Sequence, residues 1–216
     1  MSTNDKRIAA IRQILGPNAV LLRVAPLGKN PTRERWQRVG IEKMSDPAYL
    51  KSLTGNCNIG VALGKQSDGL CTQDVDDNLE MARFIECNPH LDTLITSRVR
   101  GGNFWLQIAG DYPPSGKIKN KDGKAIGEWR ADGFQTVISG SAIGKDETQE
   151  TKYRVASKTW TPARMRFEEI VWPGGWQLPW NKAPRPARGP SNGSEHREHT
   201  KAEVARLLTH IKPRLD

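Results

Sequence analysis

Three aspartates stand within four residues at the end of an apolar segment, in GLCTQDVDDNLEMARF, residues 69–84. Side chains two residues apart on a β-strand point to the same face, so Asp74 and Asp76 are predicted to project together. Two such carboxylates can hold Mg²⁺ or Mn²⁺, hard cations that prefer oxygen ligands. On this motif alone an alternative stays open, in which Asp76 and Asp77 cap a helix and Asp74 forms a surface ion pair.

Arginines and glycines adjoin each other in SRVRGGNFWLQI, residues 97–108. The guanidinium groups of Arg98 and Arg100 can each donate two parallel hydrogen bonds to a phosphate. The backbone of the Gly-Gly pair that ends at Gly102 has no Cβ, so it can approach a phosphate closely. This segment therefore predicts contacts with an anionic ligand.

A third group of polar residues follows in GEWRADG, residues 127–133, where Glu128 and Arg130 share one strand face. An acid and a base are thus expected side by side. The next segment, TVISGSAIGK, is suited to phosphate or base contacts but is equally typical of an ordinary turn. Its candidate residues are Ser139, Ser141 and Lys145.

The charge balance favours a polyanionic partner. The chain has 216 residues, a net charge of +9 and a pI near 9.6, and a solvated basic surface is an equally open interpretation. Three cysteines without framework spacing indicate a reducing environment, and no segment is apolar enough to span a bilayer. We therefore expect a cytoplasmic protein without a membrane partner.

The order of the predicted elements indicates an α+β fold with a mixed or antiparallel sheet. NIGVALG and LCTQDVD are predicted to pair as a hairpin, and TLITSRV, FWLQIA and two segments of GEWRADGFQTVIS are further strands. Proline and glycine are dense at 181–199, which predicts a linker. Residues 200–216 predict an amphipathic helix that opens with a capping box, so the core domain is expected to span 1–180.

The series NIGVALG, GLCTQDVDD, SRVRGGNFWL and GEWRADGFQTVISGS resembles the primase–polymerase domain of the archaeo-eukaryotic primase superfamily. Such domains occur in replication proteins of plasmids, phages and mobile elements. The likeness begins near Val20, where LLRVAPLGKNPTRERW resembles the opening strand and the Lys-x-Pro…Trp segment of the family, and it ends near Tyr153. The order and spacing of these segments carry the resemblance.

The resemblance implies an RRM-like sheet with flanking helices, on which Asp74, Asp76 and Glu128 bind the metal ions. It also implies that Arg130 lies near the incoming nucleotide. Further nucleotide contacts are expected from Lys29, Arg98, Arg100, Gly102, Asn103, Ser139, Ser141 and Lys145. The chain departs from the family at Asn103, where a histidine is usual, and at Ala142, where a second histidine is expected. Asparagine can donate a hydrogen bond there but cannot carry charge.

The leading hypothesis is a nucleotidyltransferase that makes or extends primers on single-stranded DNA from nucleoside triphosphates, with a helicase or another replication protein as a further partner. A second hypothesis is an RRM-like module that binds single-stranded nucleic acid without catalysis. A metal-dependent nuclease ranks third, because no acid-x-lysine signature adjoins the acids. Segment 116–127 is predicted to be a lysine-rich loop that contacts the template, with Phe104 or the tryptophans as stacking surfaces. Trp105, Trp129 and Trp160 are more typical of core positions.

Overall fold

The computed structural model describes residues 3–144 and 151–181, and residues up to Asn181 form one compact unit. Its α-helices are α1 (Thr3–Leu15), α2 (Pro47–Ser52) and α3 (Asn78–Cys87). Its strands are β1 (Leu21–Val24), β2 (Asn58–Ala62), β3 (Leu70–Val75), β4 (Ile95–Ser97), β5 (Gly102–Ile108), β6 (Gly116–Lys119), β7 (Ala125–Arg130), β8 (Gln135–Val137), β9 (Ala142–Ile143), β10 (Thr151–Lys152), β11 (Arg154–Val155) and β12 (Ala163–Met165). The predicted α+β class is confirmed.

The larger sheet has the strand order β11-β4-β5-β3-β7-β6, and β12 also pairs with β5. Neighbours along this order are antiparallel, whereas β12 runs parallel to β5. A smaller antiparallel sheet has the order β1-β2-β8, and β9 pairs with β10. Strand β3, which carries Asp74, therefore lies inside the larger sheet between β5 and β7.

Hydrophobic cores cover both faces of the larger sheet. One core joins α1 to the strands of the smaller sheet and includes Trp105 of β5. The other contains Phe104 of β5 and Trp129 of β7, packed with α3 and the aromatic residues of the C-terminal segment 163–180. Burial on both faces explains why β3 is buried along its whole length.

Helix α3 begins as the sequence predicts. The Asp77 carboxylate accepts hydrogen bonds from the backbone N–H groups of Leu79 and Glu80, at 2.9 and 3.3 Å. These bonds satisfy donors that have no partner within the first helical turn. The N-cap role of Asp77 is confirmed, and the helix leaves the end of β3 directly.

The predicted hairpin of NIGVALG with LCTQDVD is wrong except for one antiparallel bridge, between Gly64 and Leu70. Strands β2 and β3 belong to different sheets, and between them the chain turns through a short 3₁₀ helix at Lys65–Ser67. The buried Ser67 hydroxyl donates to the Ala62 carbonyl and accepts from the Val20 N–H, which fixes this bend. Gly64, at φ 72°, permits the bend because it lacks a Cβ.

Three more expectations differ from the structure. Segment 116–127 is not a plain loop, since β6 and β7 pair across a turn at 120–124. Trp105 and Trp129 are core residues as expected, but Trp160 is 56% exposed. Phe104 is buried in the aromatic core and cannot serve as a stacking surface for a base.

Two sequence predictions fall wholly or mostly beyond this part of the chain. The linker at 181–199, apart from Asn181, and the helix at 200–216 lie outside the described residues, so the division at residue 180 stays a prediction. Among the described helices, none is both long and apolar enough to cross a membrane.

Candidate active site

A row of polar side chains crosses the middle of the larger sheet. Asp74 of β3 lies opposite Asn103 of β5 on one side and opposite Glu128 of β7 on the other. Residues in register on neighbouring strands share a face, so these three side chains are neighbours. Asp74 is only 8% exposed. The sheet therefore joins an acid from the DVDD motif to the acid of GEWRADG, as predicted.

Arg130 connects the two acids. Its Nη2 lies 2.5 Å from Asp74 Oδ2, and its Nε donates to Glu128 Oε2 at 2.9 Å. Its Nη1 donates to the Thr136 hydroxyl at 3.3 Å, which fixes the third corner of the guanidinium. A charged, planar donor held at three corners has a defined orientation. The two carboxylates thus share one well-positioned cation.

Asp76 follows the last residue of β3 and is paired differently. Its carboxylate lies 3.4 Å from Nη2 of Arg98, at the end of β4, and its side chain is 45% exposed. The backbone N–H of Asp76 donates to the Ile126 carbonyl, so the chain remains attached to β7 beyond the strand. Asp76 is therefore two residues from Asp74 along the chain but is paired with its own arginine.

Asp74, Glu128 and Arg130 line one cavity of about 410 Å³. Lys29 also lines it, carried by the loop after β1, where Gln135 donates to the Lys29 carbonyl at 2.6 Å. The remaining lining residues are Asn30, Pro31, Trp36, Gly133, Phe134, Gln135, Val137 and Tyr153. The cavity thus combines two acids and two cations with three aromatic side chains.

Sequence reasoning missed the aromatic lining. Phe134 follows the glycine of the ADG turn and is 36% exposed, and an aromatic residue at such a turn is a signal that could have been noticed. Trp36 lies in the segment that carries the opening part of the resemblance. Tyr153 is 7% exposed and lines the cavity from between β10 and β11, where no local sequence pattern indicates a site residue.

Burial dominates the electrostatics of the cavity. It raises the pKa of Asp74, and the attraction of Arg130 offsets that rise only in part. Burial also lowers the pKa of Lys29, aided by repulsion from Arg98, and raises the pKa of Tyr153. For Arg130, burial acts to lower the pKa, but Asp74 and Glu128 outweigh it and keep this side chain charged. A low-dielectric site with mixed charges interacts strongly with an anionic ligand.

Glycines let neighbouring backbone pack tightly around the end of β3. A Cβ at Gly101, whose φ is 70°, would overlap with the Val75 carbonyl oxygen, and one at Gly127 would overlap with that of Asp74. The Gly101 N–H donates to Asn78 Oδ1 at 2.7 Å. The Gly-Gly turn therefore approaches the backbone that carries the acids, which is a structural reason for glycine there that the sequence interpretation did not include.

The other predicted site residues are dispersed. Arg100 is exposed, Gly102 is buried in β5, and Lys145 lies outside the described residues. Ser141 is fully buried, where its hydroxyl accepts hydrogen bonds from the Ile59 N–H and from Arg7, so it does not line the cavity. Ser139 lines a different, apolar cavity beside α1.

The donor atoms around Asp74 suit a divalent cation. Asp74 and Glu128 supply carboxylate oxygens, and the buried Asn103 Oδ1 has no hydrogen-bond partner among the described residues. Hard ions such as Mg²⁺ take oxygen ligands and usually bind one or two carboxylates together with water and substrate phosphates. Within the described residues, no three His, Cys, Asp or Glu side chains are grouped as ligands of one ion. The residues fit an ion that two carboxylates hold and a substrate completes.

The comparison with protein families agrees with this arrangement. The family model described as "Bifunctional DNA primase/polymerase, N-terminal" matches residues 15–170, a segment that contains Asp74, Asp76 and Glu128. The comparison with curated proteins gives no match. The family match covers well over half of the 216 residues and confirms the resemblance. The chain belongs to the bifunctional DNA primase/polymerase (prim-pol) family.

Proposed function

We propose that this protein is a DNA primase/polymerase that incorporates nucleotides at the cavity around Asp74 and Glu128. Family membership implies a DNA primase/polymerase of the nucleotidyltransferase type, with DNA and nucleotides as substrates. The observation that carries the proposal for this site is the pairing of Asp74 with Glu128 on the floor of a cavity that also contains Lys29 and Arg130. Acids and cations in one cavity suit a metal-bound triphosphate.

Each part of the lining has a role in this proposal. Bound divalent metal, held by Asp74 and Glu128 with Asp76 beside them, would activate a primer 3′-hydroxyl and stabilise charge on the α-phosphate and the leaving pyrophosphate. Arg130 and Lys29 would neutralise the triphosphate, and their partial burial strengthens that attraction. Phe134 and Trp36 offer aromatic surface on which any of the four bases can stack.

The strand order supports the RRM-like architecture that the family resemblance implies. Strands β4, β5, β3 and β7 are consecutive and antiparallel in the larger sheet, and α3 connects β3 to β4. In chain order these strands occupy positions 2-3-1-4, the order of a ferredoxin-like sheet. Strand β6 lies between β5 and β7 in the chain, where such a fold has its second helix. We propose that the acids lie on the sheet of this motif.

A second candidate is a nucleic-acid-binding module without catalysis. It is favoured by the ion pairs themselves, because Arg130 and Arg98 already pair with the three acids, and by Asn103, which cannot replace the charge of a histidine. In that case the acids would orient arginines rather than bind metal. The involvement of a helicase, the mobile-element context and the cytoplasmic location remain sequence-based proposals.

One assay separates these candidates. The chain is incubated with single-stranded DNA, Mg²⁺ or Mn²⁺ and labelled nucleotides, with and without a primer, and the products are resolved by length. We expect extended or newly made strands from the wild type and at least a hundredfold loss in Glu128→Gln, because a metal ligand is removed. Asp122→Asn is the matched control, since this acid lies on the exposed β6–β7 turn. Full incorporation by Glu128→Gln would contradict the proposal.

A further inference from the structure

A second cavity, of about 480 Å³, adjoins the one that contains the acids. It is lined by Ser97, Arg98, Val99, Thr151, Lys152 and Arg154, and this lining is called the basic groove below. Half of these described lining residues are cationic and none of them is acidic. Such a composition attracts phosphate, and arginine is well suited to bind it through two parallel hydrogen bonds.

The basic groove and the acid cavity are lined by residues that neighbour each other in the chain. Arg98 lines the groove and pairs with Asp76. It also lies near Lys29, because its repulsion is the second cause, after burial, of the lowered pKa of that lysine. Tyr153 lines the acid cavity, whereas its neighbours Lys152 and Arg154 line the groove. An anion in the groove would therefore lie beside the proposed site of nucleotide incorporation.

The groove lies at an edge of the larger sheet. Strand β11, which carries Arg154, is the terminal strand of the sheet order and pairs with β4 through Arg154 and Ser97. Val99 is 85% exposed at the rim and offers apolar contact for a sugar or a base. A position at a sheet edge suits a chain that passes through, such as a nucleic-acid strand, better than a ligand that must be enclosed.

We propose that the basic groove binds the phosphates of the single-stranded DNA where the strand reaches the acid cavity. The inference rests on the proposed function in taking DNA as the ligand. It differs from the sequence-based expectation that the template lies on the lysine-rich segment 116–127. The turn of that segment mixes Lys121 and Lys124 with Asp122, which weakens its potential, whereas the described residues that line the groove include three cations and no acid.

Fluorescence anisotropy with a labelled oligothymidylate tests the groove without metal or nucleotide. The double variant Lys152→Gln/Arg154→Gln is compared with Lys121→Gln/Lys124→Gln, which removes the same charge from the turn. Each lost phosphate contact lowers the slope of log K against log salt by about 0.7 for single strands, so the groove variant is expected to lose about 1.4 and the turn variant little. Equal losses in both variants, or no loss in the groove variant, would overturn the proposal.

Two further measurements keep the test decisive. Arg154→Gln alone should lower the slope by about 0.7, and it serves if the double variant folds poorly. Binding of dTTP with Mg²⁺ should be unchanged in the groove variants, and a loss there with intact DNA binding would identify the groove as a triphosphate site instead. Because Glu128→Gln should keep wild-type DNA binding while losing incorporation, failure of the catalytic proposal is distinguishable from failure of this one.

Discussion

Strand β3 presents two unlike faces to the molecule. One face carries Thr72 and Asp74, and Asp74 lies in the floor of the proposed nucleotide cavity. The other face carries Cys71 and Val75 and packs into the aromatic core. The polar face contains ion-paired acids, and burial raises the pKa of Asp74 there, which costs stability. The aromatic face supplies the packing that holds the same strand in place.

The aromatic face is densely connected. Trp129 makes edge contacts with Phe167, Trp172 and Trp180, with ring centroids 5.1 to 6.4 Å apart. Phe84 of α3 contacts Phe104 at 4.8 Å and stacks with Trp176 at 5.9 Å. Aromatic pairs of this kind add to the free energy gained by burial. Chemistry and stability thus depend on opposite faces, and substitutions should separate them.

The largest effect on stability is expected from Trp129→Ala. Trp129 is fully buried, so its removal leaves a large cavity between β7 and the C-terminal aromatic residues, at a cost of about 3–5 kcal/mol in the free energy of unfolding. Urea denaturation measures this cost. The control is Trp160→Ala, at a tryptophan that is 56% exposed, which should change the unfolding free energy far less. Similar costs for the two variants would show that the aromatic face does not make the larger contribution to the free energy of unfolding.

A smaller loss is expected from Gly101→Ala, at the boundary between the two faces. An alanine there adopts an unfavourable positive φ, costing roughly 1–2 kcal/mol, and its Cβ overlaps with the Val75 carbonyl, which adds about 1–3 kcal/mol. Gly110→Ala is a matched control, because Gly110 has φ 88° but open space around its Cβ position. The difference between the two unfolding free energies isolates the contact. Equal values would mean that tight packing against β3 is unimportant.

The sequence predicts the local parts of this site well, and the structure explains why. Strand alternation places Glu128 and Arg130 on one face, and the capping preference of aspartate places Asp77 at the start of α3. Both rules depend on residues close in the chain. The pairing of Asp74 with Glu128 in register joins strands more than fifty residues apart, and only the resemblance to a family suggested it.

The rest depends on tertiary context that no local pattern encodes. The β2–β3 hairpin was predicted because the two strands are close in the chain. In the structure the chain bends between them, and the Ser67 hydroxyl fixes this bend through hydrogen bonds with Val20 and Ala62. Tyr153 lines the cavity because the chain, after β8 of the smaller sheet, passes back beside Asp74 and Glu128. The Gly-Gly pair was expected to approach a phosphate, and its packing against the backbone of Val75 at Gly101 was not foreseen.

The smallest effect on stability is expected from Asp74→Asn, although it should abolish incorporation. Burial raises the pKa of Asp74 above its usual value near 3.9. A carboxyl group whose pKa is raised on folding stabilises the fold below its unfolded pKa, and this contribution is lost as the pH rises through the folded pKa. The asparagine variant lacks that loss, so in EDTA its unfolding free energy at neutral pH should equal or exceed that of the wild type.

Thermal unfolding between acidic and neutral pH measures the difference, with Asp122→Asn as an exposed control that should behave like the wild type. The stability advantage of Asp74→Asn should grow as the pH rises from the acidic end, because only the wild type must then charge a buried carboxyl group. Asparagine also keeps a side chain of similar shape opposite Asn103 and Glu128, so packing is preserved. If Asp74→Asn instead unfolds at neutral pH, the ion pair with Arg130 is a structural requirement, and the acid has been retained for the fold rather than for metal-dependent catalysis.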